Sequence, residues 1–100
     1  MISCARNEDR LTVVLEGEID HHAAIAIREE LDRILKDQSI NELLFDFKNV
    51  SFMDSSGIGM MIGRYKIMKS RNGRTCSTGL SKAVERVYRI GGLHRIIPIV

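Results

Sequence analysis

The sequence predicts an α/β fold: a single domain whose mixed, mostly parallel β-sheet opens with a β-hairpin and carries helices packed on it. Three observations lead there. Short apolar or β-branched runs alternate along the chain with repeats of 3.6 residues, the pattern of layered α/β architecture. The first two strands are joined by the turn Asn7–Arg10, a connection so short that they pair antiparallel. After that, a helix separates each strand from the next, which makes the remaining neighbours parallel with right-handed crossovers.

Ile2–Arg6 is a short edge strand, and Leu11–Glu16 a better one, rich in β-branched and aliphatic residues. Gly17-Glu18-Ile19-Asp20 closes it, and Asp20 suits the N-cap of the next helix. There Ala24, Ile27, Leu31, Ile34 and Leu35 line one face, Arg28, Glu29, Asp32, Arg33 and Lys36 point mostly outward, and Asp37–Ser39 ends the helix. Asn41–Val50 is the central strand, with Leu43, Phe45 and Phe47 on one side and Leu44 and Asp46 on the other. A second helix runs from Ser55 to about Lys69 and stops at Arg71-Asn72-Gly73. Arg74–Gly79 is a strand by topology, although Thr75-Cys76-Ser77-Thr78 is polar for one. Ser81 caps a third helix with Val84, Val87 and Tyr88 inward, and Gly91-Gly92 ends it. Ile96–Val100 is a last, apolar strand that Pro98 places at an edge.

One hundred residues allow one core and leave no chain for a second lobe. With 44% hydrophobic and 28% charged residues, this is an ordinary soluble globular chain. Only 5% is aromatic, so the core must be built from Ile, Leu, Val and Met. Arg64, Lys66, Lys69, Arg71, Arg74 and Lys82 form a basic stretch, but no aromatic platform accompanies them. They read as cations near a helix C-terminus, and no nucleic-acid partner is expected. Cys4 and Cys76, with His21, His22 and His94, lack the spacing of a zinc site, so neither metal nor cofactor is expected. Without a signal peptide or long apolar run, the expected setting is cytoplasmic, away from membranes, with reduced thiols.

The most informative stretch is Ser51–Lys66. Asp54-Ser55-Ser56-Gly57 is a tight strand-to-helix corner, where a hydroxyl meets the positive end of a helix. Sites in such sheets lie beyond the carboxyl ends of strands, which groups Glu18, Asp20, Asp54 and Ser55. On the helix, Ile58, Met61, Ile62, Tyr65 and Met68 share the expected core face, with Met60 and Ile67 nearly opposite and exposed. Gly59 and Gly63 follow Ser55 at one-turn intervals. They serve either close packing on the sheet, the commoner reason, or a smooth strip on which another protein docks. Ser55 itself is either a plain helix cap or a site. His21 and His22 are either surface residues opening a helix or, for one of them, a partner of Ser55. A small serine hydrolase would use these residues, but Met53 stands where the nucleophile elbow needs glycine and no chain is spare for a substrate pocket.

Gly17-Glu18-Ile19-Asp20-His21-His22 and Ser51–Gly59, continued by Gly63-Arg64-Tyr65-Lys66, resemble the bacterial anti-sigma factor antagonists, of the STAS domain class shared with sulfate transporters. The resemblance covers nearly the whole chain. The Asp54–Gly57 motif is specific to the class. The paired histidines and the Gly63–Lys66 tail tilt it to the sporulation branch, directed at the anti-sigma-F factor, with the general-stress branch as the alternative. The resemblance implies a binding module and not an enzyme. Its unphosphorylated form would bind an anti-sigma factor that is a serine kinase and free the sigma factor. Phosphorylation of Ser55 would release it, and a PP2C-type phosphatase would restore it. The expected partner surface is the corner Glu18, Asp20, Asp54, Ser55, Ser56 and Gly57 with the strip Gly59, Met60, Gly63 and Ile67. The chain departs from the family in its polar Thr75–Thr78 stretch and in stopping at Val100, where members usually add a further helix.

Overall fold

A computed structural model describes residues 2–100. Its elements are β1 (Ile2–Asn7), β2 (Arg10–Ile19), α1 (His21–Ile34), β3 (Glu42–Met53), α2 (Ser55–Ser70), β4 (Arg74–Thr78), α3 (Lys82–Ile90) and a 3-10 turn at Leu93–Arg95. The sheet order is β1-β2-β3-β4. β1 and β2 are antiparallel, and β2, β3 and β4 run parallel. The expected mixed sheet with an opening hairpin is the one observed.

Glu8 adopts a left-handed conformation (φ 58°) at the hairpin tip. Asp9 then ties that tip to the start of β3, its carbonyl accepting from the Asn41 and Glu42 amides at 2.9 and 3.1 Å. Side chains alternate as a pleated sheet requires. Leu11, Val13 and Leu15 of β2 and Leu43, Phe45 and Phe47 of β3 are buried in one cluster with the inward residues of all three helices. The alternate positions Thr12, Val14, Leu44, Asp46, Cys76 and Thr78 are half-buried.

Arg71, just past α2, pins that end of the helix to the end of α1. Its guanidinium donates to the carbonyls of Leu35 (2.7 Å), Ile40 (3.1 Å) and Asp37 (3.3 Å). Arg74 and Arg10 both pair with Glu42. Three members of the basic stretch, Arg64, Arg71 and Arg74, are thus engaged within the fold and not merely solvated.

The polar β4 has an interior explanation. Ser77 and Tyr88 are fully buried, and the Tyr88 hydroxyl lies 2.9 Å from Ser77 Oγ and 2.7 Å from the Ile97 carbonyl. One phenolic proton serves one acceptor, so Tyr88 donates to the carbonyl and Ser77 donates to Tyr88. Phe47 meets the same ring edge to face at 6.1 Å. Ser77 therefore completes a buried polar link that valine could not.

Three expectations need correction. β3 continues past Val50 to Met53: it carries one extra residue opposite Val14–Glu16 and another opposite Gly17–Glu18, and after these two bulges pairing resumes through Ile19–Met53. Ile96–Val100 is not a strand: it makes a single bridge, Ile99 to Ser77, beside Pro98, which has no N–H for a ladder. Met60 and Ile67 are not exposed. Met60 is 4% accessible and Ile67 is partly buried against the core, while Ile62 and Tyr65 are only half-buried. For Met60 the reason is α1, which packs against the flank of α2 that carries Ser56, Met60 and Arg64.

Two predictions follow from this packing. Met60→Ala should lose about 2–5 kcal/mol of stability and Ile62→Ala less, as read from urea midpoints; the reverse order would place α1 wrongly. Burial also pushes the Tyr88 phenol up to about 12. Folding thus holds this proton more tightly than the unfolded chain does, so the contribution is complete below the ordinary phenol value of 10 and is lost as pH rises towards 12. Tyr88→Phe should destabilise by about 1–3 kcal/mol at neutral pH, leaving Ser77 unpaired. It should also flatten stability between these two pH values in an alkaline unfolding series.

Candidate functional site

Two strand-to-helix corners meet at one edge of the sheet. The register sets Glu18 opposite Phe52 and Ile19 opposite Met53, and the Asp54 amide donates to the Ile19 carbonyl at 3.3 Å. Asp20 and Asp54 therefore stand on adjacent strand ends. Each caps its helix: Asp20 Oδ1 accepts from the Ala23 amide at 2.9 Å, and Asp54 Oδ1 from the Ser56 amide at 2.8 Å. Asp20 was the expected cap. For α2 the cap is Asp54 and not Ser55.

That difference decides the state of the serine. With Asp54 as cap, Ser55 is the first helical residue and is exposed. Among the described residues nothing hydrogen-bonds its hydroxyl. Ser56 is half-buried and its amide is taken by Asp54. The two serines are thus unequal: Ser55 presents a free hydroxyl to solvent beside the positive end of a 16-residue helix.

The three glycines of α2 also differ. A Cβ on Gly57 would lie 2.5 Å from Met53 Cγ and 3.1 Å from Ile19 Cγ2, so Gly57 is buried and allows the first turn to sit on the strand ends. The expectation that Gly57 offers a partner an outward contact is thereby corrected: it is buried, between half-buried Ser56 and buried Ile58. A Cβ on Gly59 or Gly63 would meet nothing within 4 Å. The close-packing reason does not apply to them, and the smooth outer row Ser55–Gly59–Gly63 is real.

Between α1 and α2 lies a groove of about 330 Å³ whose wall includes His21, Ile25 and Arg28 on α1 and Ser56, Gly59 and Met60 on α2. Met60 is its floor and not an outward contact. Further along the same seam, Arg64 is 7% exposed. Its Nε lies 3.0 Å from Asp32 Oδ1, misaligned for a hydrogen bond, and its buried Nη1 has no partner among the described residues. Burial pushes the Arg64 guanidinium down, Asp32 opposes this, and Arg28 adds to it.

Sequence reasoning missed His21, Ile25 and Arg28 as a groove wall, because helical periodicity assigns residues to a face without saying which neighbour that face borders. It also missed Phe52, 46% exposed next to Glu18, since the bulges break strict alternation there. His21 and His22 are exposed and form no hydrogen bond with Ser55 among the described residues. Cys4 on β1 and Cys76 on β4 are free thiols with two strands between them. No helix is long and apolar enough to cross a membrane among the described residues.

The open glycine row gives a direct test. Gly59→Ala and Gly63→Ala should each stabilise the fold by about 0.4–1 kcal/mol, because the backbone is helical and the space is empty. Gly57→Ala should destabilise it. Thermal unfolding of the three variants checks the division.

The STAS domain model matches residues 2–100. The anti-sigma F factor antagonist of Paenibacillus polymyxa is 35% identical over 89 residues, covering 89% of this chain and 76% of that protein. The anti-sigma-B factor antagonist of Bacillus subtilis is 34% identical over 98 residues, covering 98% and 88%. The anti-sigma factor antagonist SpoIIAA in its unphosphorylated form superposes with a TM-score of 0.88 at 28% identity, over all of this chain and 88% of that one. The phosphorylated form of SpoIIAA, a Bacillus cell fate determinant, gives 0.79 at 27% identity, over 100% and 91%. With its sheet order, its capped corner and its relatives in agreement, the chain belongs to the STAS domain family, among the regulatory binding proteins of the anti-sigma factor antagonist type and not among enzymes.

Proposed function

We propose that this chain is a cytoplasmic anti-sigma factor antagonist that works as a partner switch through Ser55. Its unphosphorylated form binds an anti-sigma factor that is itself a serine kinase, and so releases a sigma factor. Phosphorylation of Ser55 ends that binding, and a PP2C-type phosphatase restores it. The observation that carries the reading is the free Ser55 hydroxyl at the head of the Gly59–Gly63 row, left unused because Asp54 caps the helix. The sporulation type is favoured by the anti-sigma F relative, and the general-stress type has support from the anti-sigma-B relative, which spans almost the whole chain.

The physics of the switch lies at the interface. A phosphate adds about −1.5 to −2 charges. The α2 dipole favours that charge in the monomer, so the fold need not change. Docking a surface over it is another matter. The dianion must lose water with Asp20 and Asp54 nearby, and desolvating an unpaired charge costs several kcal/mol. A hundredfold loss of affinity needs only about 2.7 kcal/mol.

Ser55→Ala should bind the kinase and never be released by phosphorylation. Ser55→Asp should bind poorly with an unchanged circular dichroism spectrum, and Ser56→Ala should still accept phosphate. Incubation with the kinase and ATP followed by mass spectrometry locates the phosphate; finding it on Ser56, or equal affinity of wild type and Ser55→Asp, would refute the switch.

A further inference from the structure

The seam between α1 and α2 has more positive charge than its own acids answer. Asp32 is engaged by Arg64, and Arg28, one turn earlier on α1, has no ion-pair partner among the described residues. Arg28 lies close enough to Arg64 to push that guanidinium further down, so the two cations repel across the seam. Apart from His21 and Ser56, the groove that Arg28 borders is apolar or small: Ala24, Ile25, Gly59 and Met60. Its other end is Ser56, next to the free Ser55 hydroxyl.

We propose that the α1–α2 groove receives an acidic side chain of the anti-sigma partner, with Arg28 as its counter-ion and an apolar neighbour of that acid seated against Ile25 and Met60. The proposal rests on the partner reading above and adds what the partner brings. Charge complementarity supports it: a carboxylate relieves the Arg28–Arg64 repulsion, which a cationic or neutral group would not. Shape supports it as well. Gly59 leaves the α2 wall of the groove without a side chain, so a partner side chain reaches the Met60 floor. The groove is also continuous with the Ser55 corner through Ser56 and Gly59. A carboxylate seated there stands near a phosphate on Ser55, and the two repel. Release on phosphorylation then has a second source besides desolvation, located in the partner's own acid.

The test is calorimetric titration of the full chain with the anti-sigma serine kinase. It compares wild type, Arg28→Ala, Arg28→Glu and Ser55→Asp, with thermal unfolding as the fold control. Arg28 is exposed, so its variants should fold normally. We expect Arg28→Ala to lose about tenfold in affinity and Arg28→Glu about a hundredfold. We also expect one Asp→Lys or Glu→Lys substitution in the kinase to restore binding to Arg28→Glu alone. If both Arg28 variants bind like wild type while Ser55→Asp fails, the groove is unused and the switch stands. If Arg28→Glu is weak but no charge swap rescues it, the arginine acts through the general field and the groove proposal falls. If wild type does not bind the kinase at all, the partner reading fails and takes this proposal with it.

Discussion

The absence of a side chain at Gly57 is the constraint on which the site depends. The first turn of α2 rests on Met53 and Ile19, the last residues of β3 and β2, at a distance where any Cβ would strike Met53. That contact fixes how α2 leaves the sheet. With Gly57 turned inward, Ser55, two residues earlier, is turned outward, since successive helical positions differ by about 100°. Asp54 is left with its carboxylate over the Ser56 amide. One glycine thus links the core, the cap and the exposure of the hydroxyl.

The same corner shows what the sequence could reveal. The alternation of Leu43, Phe45 and Phe47, the Asp20 cap and the Arg71-Asn72-Gly73 stop were legible because each is a local preference that tertiary contacts left in place. The roles of Asp54 and Ser55 were harder to separate, since aspartate and serine are both good N-caps and stand side by side. Met60 was misplaced for a different reason. Reading α2 against one buried face assumes that only the sheet covers it, whereas α1 covers a second flank. The resulting buried arc is wide, and it takes in Arg64, a residue that composition alone puts outside.

The polar β4 carries a related lesson. Thr75-Cys76-Ser77-Thr78 departs from an apolar strand, yet Ser77 faces the interior without loss, because Tyr88 arrives from α3 to meet it. That partner lies eleven residues away in sequence, beyond any pattern confined to the strand. The long-range register of β2 on β3 likewise shifts at two bulges in β3, and the second sets Phe52 opposite Glu18 at the site edge.

The Arg71 clasp has a kinetic meaning. It fastens the far ends of α1 and α2 through three carbonyls, while the Asp54–Ile19 hydrogen bond fastens the near ends. The slot between the helices is therefore braced at both extremities before anything enters it. A visitor then meets a surface already in its receptive shape, and few side chains must be ordered on arrival. For the docking proposed above, encounter and not rearrangement would set the pace, in the range of about 10⁵–10⁷ M⁻¹s⁻¹ usual for rigid partners. Control over the lifetime of the complex passes to departure, the step that a new charge at the mouth of the slot would hasten.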